Sequence, residues 1–168
     1  MRVLTASRIF TGEEWLTDHA IIIKEAKVKE VITIAGLPSS VKTEYYDECI
    51  IAPAFIDLQI YGALGKLLAV YPEKSSLDSL VDYCRNGGAA WCLPTVATNT
   101  KEVFFKSIDA IRDYLSKGGK GVLGLHLEGP WINKVKRGAH IESLIHSPSV
   151  HEVKELLEYG KGIIKMIT

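Results

Sequence analysis

From Ile50 onward the sequence alternates apolar strands with amphipathic helices, and few architectures accept that pattern. Ile50–Leu58 is an almost continuous apolar run, as expected of a strand covered on both faces. Leu77, Leu80, Val81 and Cys84 then fall at i, i+3, i+4 and i+7, with Ser75-Ser76 placed to cap the start and Asn86-Gly87-Gly88 the end. A strand over Ala89–Val96 follows. The next helix carries Phe104, Ile108, Ile111 and Leu115 on one face, between Thr100 and Gly118-Gly119. Gly121–Leu127 reads as a third strand. Ser147 and Pro148 open a third helix, which presents Val150, Val153, Leu156 and Leu157 and stops at Gly160. Ile163–Ile167 is a fourth strand. Such repeats predict parallel βαβ units with right-handed crossovers. Two architectures satisfy them: an open doubly wound sheet and the first half of a (β/α)8 barrel.

Residues 1–50 follow a different pattern. Val3–Phe10, His19–Lys24 and Val28–Ile34 read as short strands separated by Gly, Pro and charged residues, with a loop at Gly36–Ser40 and no helix. The fold class is therefore α/β with a small N-terminal β domain.

Composition narrows the function classes. Twenty basic residues balance twenty acidic ones in 168, which gives no electrostatic reason to expect nucleic acid or a membrane surface as partner. No apolar run reaches the roughly 18 residues of a membrane span. The N-terminus lacks an apolar core with a cleavage site and reads as mature sequence. Cys49, Cys84 and Cys92 are odd in number, sit in apolar surroundings and form no CxxC pair. They read as reduced core thiols of a cytoplasmic protein.

In parallel architectures functional groups collect at the C-terminal ends of strands. Three such ends qualify. Pro53–Gly62 closes an apolar strand with Asp57, Gln59 and Tyr61. Leu93–Thr100 clusters hydroxyl and amide side chains, most of which capping explains. Gly124–Trp131 places His126 and Glu128 two residues apart, hence on one face of a strand. A buried glutamate needs a cation or a donor, and carboxylate and imidazole are ordinary zinc ligands. The long loop Ile132–Ser147 carries Lys134, Lys136, Arg137, His140 and His146, a basic cluster suited to a phosphate or to solvent. His19 and His151 read as surface or structural residues.

His126-Leu127-Glu128-Gly129-Pro130-Trp131-Ile132, followed by Lys136-Arg137-Gly138-Ala139-His140, closely resembles the signature of the N-acetylglucosamine-6-phosphate deacetylases, members of the amidohydrolase superfamily. Pro53–Gly62 also fits that family's first barrel strand. The resemblance covers nearly the whole chain. It implies that residues 1–50 form a β-sandwich portion, and that 51–168 form the first four strands of a truncated (β/α)8 barrel. It implies metal-assisted hydrolysis of the acetamide of N-acetylglucosamine 6-phosphate, with one divalent metal, zinc foremost. Glu128 is the implied metal ligand, and Ala139 and His140 the implied substrate contacts. Gln59 and His126 are possible supporting residues. Gln59 and Tyr61 stand where many amidohydrolases have His-x-His, which argues against a second metal. The catalytic aspartate and two further metal histidines would lie beyond Thr168, so no catalytic residue is expected within these 168. Two other readings remain: a non-catalytic sugar-phosphate-binding or interaction fragment, and an amidohydrolase acting on a cyclic amide. The final strand, as an apolar edge, predicts a homo-oligomer or other self-association.

Overall fold

The computed structural model describes all 168 residues and divides them into two compact units, Met1–Pro53 and Ala54–Thr168. In the first, β1 (Arg2–Phe10) pairs antiparallel with both β2 (Trp15–Leu16) and β3 (His19–Lys24), and β4 (Lys27–Thr33) adds to β3. A fifth strand, β5 (Glu44–Ile51), lies parallel to β1 on its other side. Val3, Ile9, Ala20 and Ile21 are the buried apolar residues of this unit. Residues 1–53 thus form one five-stranded sheet.

The second unit follows the alternation in the sequence. Its order is β6 (Phe55–Ile60), a hairpin of β7 (Gly62–Ala63) and β8 (Lys66–Leu67), α1 (Lys74–Asn86), β9 (Ala89–Ala97), α2 (Lys101–Ser116), β10 (Leu125–Glu128), α3 (Val150–Tyr159) and β11 (Ile164–Ile167). β6, β9, β10 and β11 form one parallel sheet in chain order, with no reversal along it. Leu77, Leu80 and Val81 of α1 and Phe104, Ile108 and Ile111 of α2 pack with Cys92, Val96, Leu125 and Leu127 of the strands into a single core. No helix is long and apolar enough to cross a membrane.

Several expectations need correction. The apolar run Ile50–Leu58 is two strands: Ile50 and Ile51 end β5, and the chain breaks pairing at Ala52–Ala54 before β6 begins. Pro53 lacks the N–H a ladder needs. β6 is not covered on both faces either. It lies at the sheet edge, and Phe55, Ile56 and Leu58 are exposed. Strand β10 begins at Leu125, because Gly121 and Gly124 take positive φ and leave only an isolated bridge, Cys92 to Val122. Ser75-Ser76 do not cap α1. Glu73 occupies that position, and the Ser75 hydroxyl donates to the Glu73 carboxylate instead (2.5 Å). The cap of α3 is Ser149, not Ser147. Its Oγ accepts from the Glu152 N–H at 3.1 Å while Glu152 reaches back to the Ser149 N–H, a capping box. The α2 cap is Thr100, as the sequence indicates, accepting from Val103. Cys84 and Cys92 are buried free thiols, whereas Cys49 is exposed on β5.

Candidate functional site

The ladder between β6 and β9 is interrupted between Asp57 and Ile60. Side chains replace the lost backbone bonds. The Ile60 N–H donates to Thr95 Oγ1 at 3.1 Å, and the Leu58 carbonyl lies 3.0 Å from His126 Nδ1. A carbonyl only accepts, so His126 carries its proton on Nδ1. Its Nε2 is then free to accept from the Thr168 hydroxyl, 2.9 Å away. His126 is 2% exposed. Both its nitrogens are engaged within the sheet, and it joins β6, β10 and the residue after β11.

At this interruption the end of β6 meets the end of β10 through side chains. The Gln59 amide donates to Glu128 Oε1 at 3.0 Å and to the Tyr61 hydroxyl at 2.7 Å. The Tyr61 hydroxyl in turn donates to Glu128 Oε2 in a short hydrogen bond. Burial, and then that bond to the carboxylate, push the Tyr61 phenol above its ordinary range, so it is a donor at neutral pH. Both Glu128 oxygens therefore have donors from one edge strand. That is how a half-buried carboxylate is kept without a salt bridge to Lys or Arg.

His140 approaches the same oxygen as Tyr61. Its Nε2 is 3.6 Å from Glu128 Oε2, and its Nδ1 is 2.8 Å from Thr98 Oγ1. Thr98 also donates to the Glu128 backbone carbonyl at 3.4 Å, so the end of β9 holds both residues. Gly129 is required here. At φ +82° a Cβ would lie 2.1 Å from Thr98 Oγ1. Ala139 and His140 stand between two clefts. One, of about 500 Å³, is lined by Glu128, Asn133, Lys136, Arg137 and Thr168 as well. The other, of about 360 Å³, includes Tyr61, Thr95, Thr98 and Asn99.

The basic cluster is not uniform. Arg137 bonds the carbonyl of His140 at 3.0 Å and the Glu142 carboxylate at 3.2 Å, so it braces its own loop. Lys134 and Lys136 are exposed, and Lys136 borders the larger cleft. His19 is half-buried with Nδ1 against the Thr17 carbonyl at 2.6 Å, and His151 is exposed. No group of three or more His, Cys, Asp or Glu is close enough to hold a metal ion. Glu128 and His140 are two, and a catalytic zinc takes three protein ligands, so this chain's own residues do not make a zinc site.

Tyr61 and Thr98 are the residues that reading the sequence for function passes over. Tyr61 is legible only as a departure from His-x-His, and Thr98 only as one of four hydroxyls and amides at a strand end.

A family model described as the NagA composite domain matches residues 1–45. The N-acetylglucosamine-6-phosphate deacetylase of Haemophilus influenzae is 30% identical over 158 residues, which is 94% of this chain and 42% of that protein. The chain is similar to part of that deacetylase family. A second relative, the N-acetylgalactosamine-6-phosphate deacetylase of Escherichia coli O157:H7, is 29% identical over 98% of this chain and 43% of its own length. The chain thus spans about two fifths of the curated deacetylases it matches. The solved N-acetylglucosamine-6-phosphate deacetylase of Mycobacterium smegmatis, a D267A mutant in complex with N-acetyl-D-glucosamine-6-phosphate, superposes with TM-score 0.86 at 24% identity. It covers 99% of this chain and 42% of that one. That likeness establishes a shared fold.

Proposed function

We propose that the chain supplies part of the active site of a hydrolase acting on N-acetylglucosamine 6-phosphate. Water cleaves the acetamide to give acetate and glucosamine 6-phosphate. The observation that carries this reading is the Glu128 carboxylate at the end of β10, on which Gln59, Tyr61 and His140 converge. The named activity of the relatives agrees with it. In this reading Glu128 is the single ligand this chain gives to a divalent metal, zinc foremost. One carboxylate does not hold a catalytic zinc, so the work of these residues is binding and orientation. Ala139 and His140 face the sugar, and Lys136 offers a cation to its phosphate.

The unreversed order of β6, β9, β10 and β11 favours the first half of a (β/α)8 barrel over a doubly wound sheet, whose strand order would reverse. The amino-sugar substrate suits a cytoplasmic enzyme of carbohydrate metabolism.

The test is acetate release by the chain joined to the remaining length found in its relatives, with added zinc, beside Glu128→Gln. Turnover that falls about 100-fold or more in the variant is expected. A joined protein that binds zinc and leaves the sugar phosphate intact refutes the reading. The 29% identity to an N-acetylgalactosamine-6-phosphate deacetylase favours a second substrate, the epimer. The ratio of kcat/KM for the two sugars decides between them.

A further inference from the structure

The loop between β10 and α3 carries His140, and its two ends converge on one carboxylate. At its start the Trp131 indole N–H donates to Glu152 Oε1 at 3.2 Å. At its end His146 Nε2 reaches the same Oε1 at 2.7 Å. Between them the backbone makes only two single 3₁₀ turns, Lys134–Lys136 and Glu142–Leu144. Glu152 is itself anchored, because its other oxygen completes the capping box at the start of α3.

The His146 ring faces acceptors on both sides. Its Nδ1 lies 2.9 Å from the Leu144 carbonyl, and its Nε2 faces a carboxylate. A neutral imidazole has one N–H and satisfies one of these, whereas the imidazolium satisfies both. Three other charged groups line the clefts beside the ring. Lys101 and Glu155 pair with each other between α2 and α3, and Lys134 is exposed. The carboxylate that meets the ring is Glu152.

We infer that Glu152 and protonated His146 form a clasp that positions the Ile132–Ser147 loop, and with it His140, against Glu128. The inference rests on the proposed role of His140 only for its purpose, since the clasp geometry stands without it. The bonds that His146 donates to Leu144 and Glu152 hold its pKa above the ordinary value. Burial pushes the Glu152 carboxyl up, but the bonds from His146 and Trp131 outweigh it and leave it below the usual carboxylate range. Since His146 is raised on folding, the clasp is complete below the ordinary histidine pKa of about 6.5 and is lost as pH rises through the higher folded value. Closure of the loop is therefore favoured as pH falls.

The experiment uses this chain alone and needs no turnover, so its failure is separable from failure of the deacetylase reading. Amide hydrogen exchange is followed at fixed pH near 6, together with the ring signals of His146 and His140, for the native chain, Glu152→Gln and His146→Ala. In His146→Ala the His140 and Ile145 amides are expected to exchange about tenfold faster while those of β9 and α2 hold. In Glu152→Gln the His146 titration midpoint is expected to fall toward the ordinary value, with the His140 ring signal shifting in the same sample. Should Glu152→Gln unfold α3, His146→Ala leaves the capping box intact and carries the test. Loop exchange unchanged in His146→Ala overturns the inference. So does a fallen His146 midpoint with an unmoved His140 signal, or acceleration at every amide alike.

Discussion

The two units of the chain bury apolar surface in different ways. In Ala54–Thr168 helices cover a parallel sheet, and the strands read as apolar because little of β9 and β10 meets water. In Met1–Pro53 the sheet is held mainly by its ladders, and β4 and β5 are largely exposed along their length. A helix-covered sheet announces itself in the sequence. A sheet that shows much of its surface does not.

The largest expected effect tests that contrast. Ile108 is fully buried in the helix-covered core, and Ile108→Ala should cost about 4 kcal/mol in chemical denaturation. Ile21, at the edge of burial in the other unit, should cost about 2 kcal/mol on the same change. Equal costs would mean the first unit is packed as tightly as the second. Next is His126→Phe, which fills the volume but strands the Leu58 carbonyl and the Thr168 hydroxyl. A loss of about 2 kcal/mol is expected, with the Gln59 and Tyr61 signals shifting in the NMR spectrum. An unshifted pair would show that the end of β6 does not depend on that bond.

Self-association ranks below these. The apolar residues exposed on β6, an edge strand, predict concentration-dependent sedimentation, and a monomer at high concentration would count against it. The smallest effect belongs to Arg2 and Glu44, which pair bidentately at the surface. The Arg2 hydrogen bond, opposed by a little burial, holds the Glu44 carboxyl at about 2, below the ordinary 4.5. Its folded pKa is depressed, so its contribution is present above 4.5 and lost as pH falls through about 2. Thermal melts of Glu44→Gln and the native chain should differ slightly at neutral pH and converge in acid.

Legibility in the sequence tracks these differences. Helix α2 is readable because its apolar spacing, its Thr100 cap and its glycine stop agree. The true cap of α3 is also written there, as Ser149-x-x-Glu152, but Ser147-Pro148 offers a competing start two residues earlier. β5 is hidden because Glu44-Tyr45-Tyr46-Asp47-Glu48 alternates no apolar face. The hairpin between β3 and β4 turns through Glu25 and Ala26 at positive φ, without the Asn-Gly that would signal it. At the site Glu128 stands out as a carboxylate ending an apolar strand. Its partners Gln59 and Tyr61 are 69 and 67 residues away, and only the parallel register brings them together.

The gap in the ladder between β6 and β9 makes the site's accuracy a property of two buried side chains. Thr95 and His126 act there as removable pegs in an otherwise continuous seam. Backbone bonds form with almost any side chain, but pegs are written residue by residue. Drift at these two interior positions would retune where Gln59 and Tyr61 point while leaving Gln59, Tyr61, Glu128 and His140 themselves unchanged.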